Sequence, residues 1–171
     1  MNYFSELNKA MRLCAKHPNA LFVGQAVAYD GQAAFKTFSG VPMKQRIEMP
    51  VFEDTQLGFC TGLALEGYLP ICFYPRFDFL IMAANQLLNH LDKLPLMGPF
   101  RPKVIIRTAV GRTRPLDPGP QHTQDYSFPL RQMLKTVNVH TLSKAELIVP
   151  AYKLALTSER STILVEQMEK Y

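Results

Sequence analysis

Residues 46–74 read RIEMPVFEDTQLGFCTGLALEGYLPICFY. An extended segment at 48–52 gives way to a helical pattern over 55–65. Gly67 then stands where a left-handed residue ends a helix, and Pro70 opens an apolar run at 69–74 that cannot continue one. Extended segment, helix and strand in one short stretch make the repeating unit of a parallel sheet with covering helices.

The same alternation continues to both ends of the chain. Short apolar runs rich in branched residues predict strands at 20–23, 69–74, 104–107, 137–141 and 162–165, and segments of helical period predict helices at 3–16, 55–65, 79–93, 128–134 and 146–157. The fold class is α/β, a three-layer α/β/α domain with a mainly parallel sheet, and residues 1–171 fit a single domain. Ser143 to Glu146 has the spacing of a capping box at the start of the last helix. The helix at 79–93 is apolar around much of its circumference, which predicts central burial. Two stretches, 30–45 and 109–124, are rich in Gly, Pro and small residues and read as long ordered loops, which are usually functional or at an interface.

Composition narrows the function classes. Hydrophobic residues are 47% and charged residues 19%, an ordinary globular balance. The net charge of +5 comes from Lys and Arg scattered without a run, so no nucleic-acid partner is expected. Lys103, Arg107, Arg112 and Arg114 bracket the second loop, either as a surface for an anionic substrate or acidic partner or as solvated residues. Cys14, Cys60 and Cys72 form no CxxC pair and sit among apolar neighbours, as buried reduced thiols of a cytoplasmic protein do. The amino terminus is an amphipathic helix without a signal-peptide core, and no apolar run approaches a membrane span.

The common chemical motifs fail one by one. There is no GxGxxG, no GxxxxGK[ST], no GxSxG and no HExxH, and His17, His90, His122 and His140 lack ligand spacing, so no metal site is expected on this chain. His122 gains interest from its place in the Pro/Gly-rich loop. Glu53 and Asp54 precede a helix, where acids favour the helix dipole. An acid at the end of a parallel strand also faces the crevice where such folds place ligands. On the residues alone, Glu53 stays open between the two roles.

A spaced set of residues then carries a resemblance. Arg46 to Glu53, Gly58, Gly62, Ala64 to Gly67, Pro70, Phe77-Asp78-Phe79, Asn85-Gln86, Asn89 and Lys93 resemble, in order and spacing, the beta subunit of the thiamine-diphosphate-dependent 2-oxo acid dehydrogenases. Upstream Gly24 to Val27, and downstream Val104 to Arg107 and Gly119 to Gln124, resemble that family's first strand end, a later strand and its histidine loop.

The resemblance implies a pyrimidine-binding fold, with Glu53 hydrogen-bonded to the protonated ring nitrogen of the cofactor's aminopyrimidine and so favouring the imino tautomer that deprotonates the thiazolium carbon. It further implies that Phe79 stacks on the aminopyrimidine, although a core aromatic would look the same, and that His122 contacts the substrate. Gly58 and Gly62 would let their helix approach another subunit's backbone. Pro75 stands where a methionine commonly lines the cofactor pocket, Ala26 replaces an acid, and Asn85 replaces an aspartate.

The Gly-Asp-Gly run by which such enzymes hold magnesium and diphosphate has no counterpart, nor has the family's second domain up to Tyr171. A diphosphate-binding alpha-type partner carrying the magnesium is therefore implied, in an alpha2beta2 heterotetramer. The expected activity is decarboxylation of a 2-oxo acid such as pyruvate with transfer of the remaining unit to lipoamide or another acceptor. The alternatives are a transketolase-like carboligase subunit acting on a sugar or aldehyde, and a non-catalytic structural subunit.

Overall fold

The computed structural model describes residues 1–30, 33–112 and 117–171. Six strands form one sheet: β1 (Ala20–Gly24), β2 (Arg46–Glu48), β3 (Leu69–Phe73), β4 (Ile105–Val110), β5 (Asn138–Thr141) and β6 (Thr162–Gln167). They lie in the order β2-β1-β3-β4-β6-β5, and every pairing is parallel. β3, β4 and most of β6 are buried, which is why they read as continuous apolar runs.

Connections that run one way along the sheet cross one face, and those that run back cross the other, as uniform crossover handedness demands. On the first face lie α1 (Tyr3–Ala15), the segment between β1 and β2, and α6 (Ala145–Thr157), with Leu7, Met11, Phe22, Phe38, Tyr152 and Leu164 in its core. On the second lie α2 (Glu53–Leu65), α3 (Phe77–Met82), α4 (Leu94–Met97) and α5 (Ser127–Met133), packed around Leu57, Cys72, Leu80, Leu87 and Ile163.

Local chemistry accounts for most boundaries. The Asn2 side chain caps α1 by accepting from the Ser5 amide at 2.9 Å. At the end of α2, Gly67 takes φ +84°, the Tyr68 amide reaches Leu63 O and the Gly67 amide reaches Ala64 O, the paired bonds of a Schellman motif. Three expectations are corrected. The capping box does not form: Lys144, not Ser143, flanks α6, and no side chain caps it. The predicted helix at 79–93 is broken into α3 and a π-helical turn at Gln86–Leu91, and it is not centrally buried, for Met82, Asn85, Asn89 and His90 are exposed. The stretch 30–45, expected as an ordered loop without regular elements, holds 3-10 helices at Ala33–Phe38 and Met43–Gln45, with Thr37, Phe38 and Val41 buried and Arg46 bonded to Val41 O and Val27 O.

The four cations around the second loop do not share one surface among the described residues. Arg107 is fully buried, bonded through Nε and Nη2 to Glu166 at 2.6 and 3.0 Å and flanked by the rings of Phe38 and Phe73. Tyr152 and Tyr171 donate to the same carboxylate. Lys103 donates to Leu156 O at the end of α6, Arg112 pairs with Asp117 in solvent, and Arg114 lies outside the described residues. Cys14, Cys60 and Cys72 are free and buried, as read from the sequence, and burial pushes the Cys14 thiol up to about 12.

A second buried acid, just after the π-helical turn, ties it to the segment between α5 and β5. Asp92 accepts the Lys135, Thr136 and Val137 amides at 2.8, 2.7 and 3.3 Å and pairs with Lys93 at 2.6 Å. Burial works against its charge, but the Lys93 ammonium and the amides outweigh it and hold the carboxyl below its ordinary range.

Two outcomes follow from these buried acids. Glu166→Gln strands the Arg107 charge and should lower unfolding free energy in urea by about 3 kcal/mol or more. For Asp92 the folded value is depressed, so its contribution is present above the unfolded carboxylate range and is lost as pH falls through the folded value. Urea titrations of wild type and Asp92→Asn should therefore show a stability gap at about pH 6 that narrows toward about pH 3.

Candidate functional site

From the centre of the sheet the chain leaves β1 toward β2 across one face and leaves β3 toward β4 across the other. The carboxyl ends of β1 and β3 thus flank a topological switch point, the place where open α/β sheets leave a crevice. Every residue singled out above for chemistry follows a strand that ends there or beside it: Glu53 after β2, Pro75 and Phe79 after β3, His122 after β4.

Backbone packing brings β1 and β3 close at this edge. Gly24 is in register with Phe73, and a Cβ on Gly24 would lie 2.4 Å from Phe73 O, at a φ of +157°. Only glycine fits there. Beyond it the chain turns sharply through Ala26, which has φ +55°. Glu48, in register with Gly24 on the neighbouring strand, accepts the amides of Ala26, Val27 and Ala28 at 2.5, 3.0 and 2.8 Å.

Glu53 is the first residue of α2, half-buried, so its place at a helix amino terminus is real. It does not cap the helix, since no side chain does so at this end. Its carboxylate Oε1 instead accepts from Gln25 Nε2 at 3.3 Å, and its backbone oxygen accepts from the Tyr74 hydroxyl at 2.8 Å. Burial, together with the neighbouring Cys72, Cys60 and Glu53, pushes the Tyr74 phenol well up, so it keeps its proton and donates. Behind this, Gln56 anchors α2 to β3 by donating to Phe73 O at 3.0 Å.

The second group lies across α3. Phe77 is buried against Tyr126, whereas Phe79 is half-exposed and meets the His122 ring edge-on, with centroids 5.2 Å apart. His122 sits in a short 3-10 turn at Pro120–His122, and its Nδ1 is buried with no hydrogen-bond partner. Arg76, just before α3, donates to Gly111 O at 2.5 Å and bridges the β3 end to the β4 end. Burial lowers its basicity against the opposing pull of Asp78, Tyr171 and Asp117.

The structure therefore brings Phe79 and His122 into contact, and Glu53 onto Gln25 and Tyr74. No hydrogen bond or ring contact joins the two groups among the described residues. Pro75 is buried, so it offers little surface to a ligand. Sequence reasoning missed the roles of Glu48, Gln25 and Tyr74. Their partners are 20 to 28 residues distant, and no local pattern announces them. Among the described residues no cluster of three His, Cys, Asp or Glu could hold a metal ion.

A half-buried carboxylate with one oxygen engaged, a half-exposed aromatic ring and a buried imidazole nitrogen without a partner suit a planar heterocycle that hydrogen-bonds at its edge. No family model matches the chain. It is 32% identical over 127 residues to the pyruvate dehydrogenase E1 component subunit beta, mitochondrial, of Caenorhabditis elegans, a match covering 71% of this chain and 36% of that protein. It is 26% identical over 164 residues to the corresponding subunit of Staurastrum punctulatum, covering 91% and 48%. The chain spans between about a third and a half of the length of these curated relatives. A solved split gene transketolase, described as an inactive beta4 tetramer, superposes with a TM-score of 0.73 over 96% of this chain and 51% of its own, at 18% identity.

The tight approach at the β1 end gives a direct test of the crevice. Gly24→Ala forces β1 and β3 apart and should cost about 2 kcal/mol or more of stability, read by urea unfolding.

Proposed function

From the chain's kinship with the pyruvate dehydrogenase E1 beta subunits, we propose that it is the pyrimidine-binding subunit of a split thiamine-diphosphate enzyme that decarboxylates a 2-oxo acid such as pyruvate and passes the remaining unit to an acceptor. The observation that carries this reading is the placement of Glu53: a carboxylate at the switch-point crevice, with Oε1 held by Gln25 and its backbone held by Tyr74.

Thiamine diphosphate, when bound, supplies a nucleophilic carbon and an electron sink for the departing carbon dioxide. Glu53 would hold the proton shared with the aminopyrimidine ring nitrogen, a general-acid contact whose value depends on fixed geometry. Phe79 would stack its half-exposed ring on the pyrimidine, and His122, edge-on against Phe79, would contact the substrate. Tyr74 and Gln56 keep the start of α2 from drifting away from β3.

The magnesium and the diphosphate would be held by an alpha-type partner, in an alpha2beta2 assembly. The outer surface of the second face supports a partner: Phe59, Leu65, Met82, Leu96 and Met97 are exposed there, and Gly62 of α2 has nothing within 4 Å of its Cβ position.

Co-expression with a diphosphate-binding subunit, followed by measurement of cofactor binding and 2-oxo acid decarboxylation, tests the reading. Glu53→Gln should cut turnover by about a hundredfold or more while cofactor still binds. Unchanged turnover would sink the assignment of Glu53, and tight binding of magnesium and thiamine diphosphate by this chain alone would sink the split site.

A further inference from the structure

We propose that Gln25 is a positioning residue for Glu53 and that Glu48 is the anchor that makes it one. The inference rests on the reading of Glu53 as the acid that meets the aminopyrimidine.

Ala26 adopts φ +55°, a left-handed conformation that costs a residue with a Cβ on the order of 1 kcal/mol or more. In an extended strand, successive amides point to opposite sides. Here the amides of Ala26, Val27 and Ala28 converge on one carboxylate, Glu48, with bonds of 2.5 to 3.0 Å. Consecutive amides gathered around an anion form a nest, and hydrogen bonds to an ionised acceptor are about twice as strong as neutral ones. Glu48 therefore offsets the strain and fixes where the turn leaves the sheet.

That turn carries Gln25. Its side-chain amide donates to Glu53 Oε1 at 3.3 Å, while Glu53 Oε2 takes no hydrogen bond from the described residues. Glu48 and Glu53 belong to one short segment, so two carboxylates clasp the β1 turn. Glu48 takes its backbone amides and Glu53 takes its one side-chain amide. The Tyr74 hydroxyl fixes the Glu53 backbone from the other side. One carboxylate oxygen is thus held and the other presented. An amide at position 25 suits this role because it donates without setting a second negative charge against Glu53.

The clasp is testable on the full chain without any cofactor. In ¹H–¹⁵N spectra, the Gln25 side-chain NH2 resonance should move in Glu53→Gln and Glu53→Ala, which remove the carboxylate it donates to. In Glu48→Ala, the amides of Ala26, Val27 and Ala28 should exchange with solvent at least about tenfold faster, with the protection of β3 and β4 kept. A Gln25 resonance blind to Glu53, or unchanged exchange at these amides, overturns the clasp. Gln25→Ala leaves the nest intact and guards against an unfolded Glu48 variant. Assembled with a diphosphate-binding subunit, it should slow exchange of the thiazolium C2 proton about tenfold while cofactor affinity stays within about twofold. If Gln25→Ala exchanges at the wild-type rate while Glu53→Gln is slow, the positioning role falls and the parent reading stands. If Glu53→Gln itself exchanges normally, the parent reading falls, and the spectra of the free chain still decide the clasp.

Discussion

The pairing of Arg107 with Glu166 is the constraint around which the sheet is assembled. A guanidinium and a carboxylate without solvent exposure need partners from the surrounding chain, and all but Arg107 Nη1 find them among the described residues. Here β4 supplies the cation, β6 the anion, α6 a tyrosine, and the chain beyond β6 another. Phe38 and Phe73 cover the guanidinium, so the segment between β1 and β2 and the end of β3 are drawn to the same point. Six parts of the chain must agree in position for this one charge pair to form and be covered.

That constraint reaches the site through β3. Phe73, whose ring lies over Arg107, is the residue whose carbonyl leaves room only for Gly24 and accepts from Gln56. Tyr74, one residue on, holds Glu53. A central charge pair, a crowded strand end and the backbone of Glu53 are thus tied to two consecutive residues, Phe73 and Tyr74.

Much of this was legible in the sequence, and the reason is period and turn chemistry. The strands after Asn19, Tyr68, Val104 and Ser161 were found because buried parallel strands are continuous apolar runs, and Gly67 marked the end of α2 because the Schellman motif needs φ > 0. The break in the helix after Met82 was not legible. Its apolar residues continue through a π-helical turn, and hydrophobic period alone does not register the change of pitch. Arg107 was misread because a buried cation looks like any other until Glu166, 59 residues later, is brought to it. Of the candidate site, Glu53, Phe79 and His122 stood out through their resemblance to a family, whereas Gln25 and Glu48 act through contacts that only the folded sheet creates.

The short run from Glu48 to Glu53 behaves as a ruler. One end is pinned by three amides and the other by a side-chain amide and a phenol, with Pro50 between them limiting how the backbone can bend. A residue inserted or deleted in this interval cannot be absorbed as slack, because both ends are tied to the same turn. It would rotate one carboxylate off its partner. The length of an unremarkable connection thus sets where both carboxylates lie, and drift that most surface loops accept without loss is closed to this one.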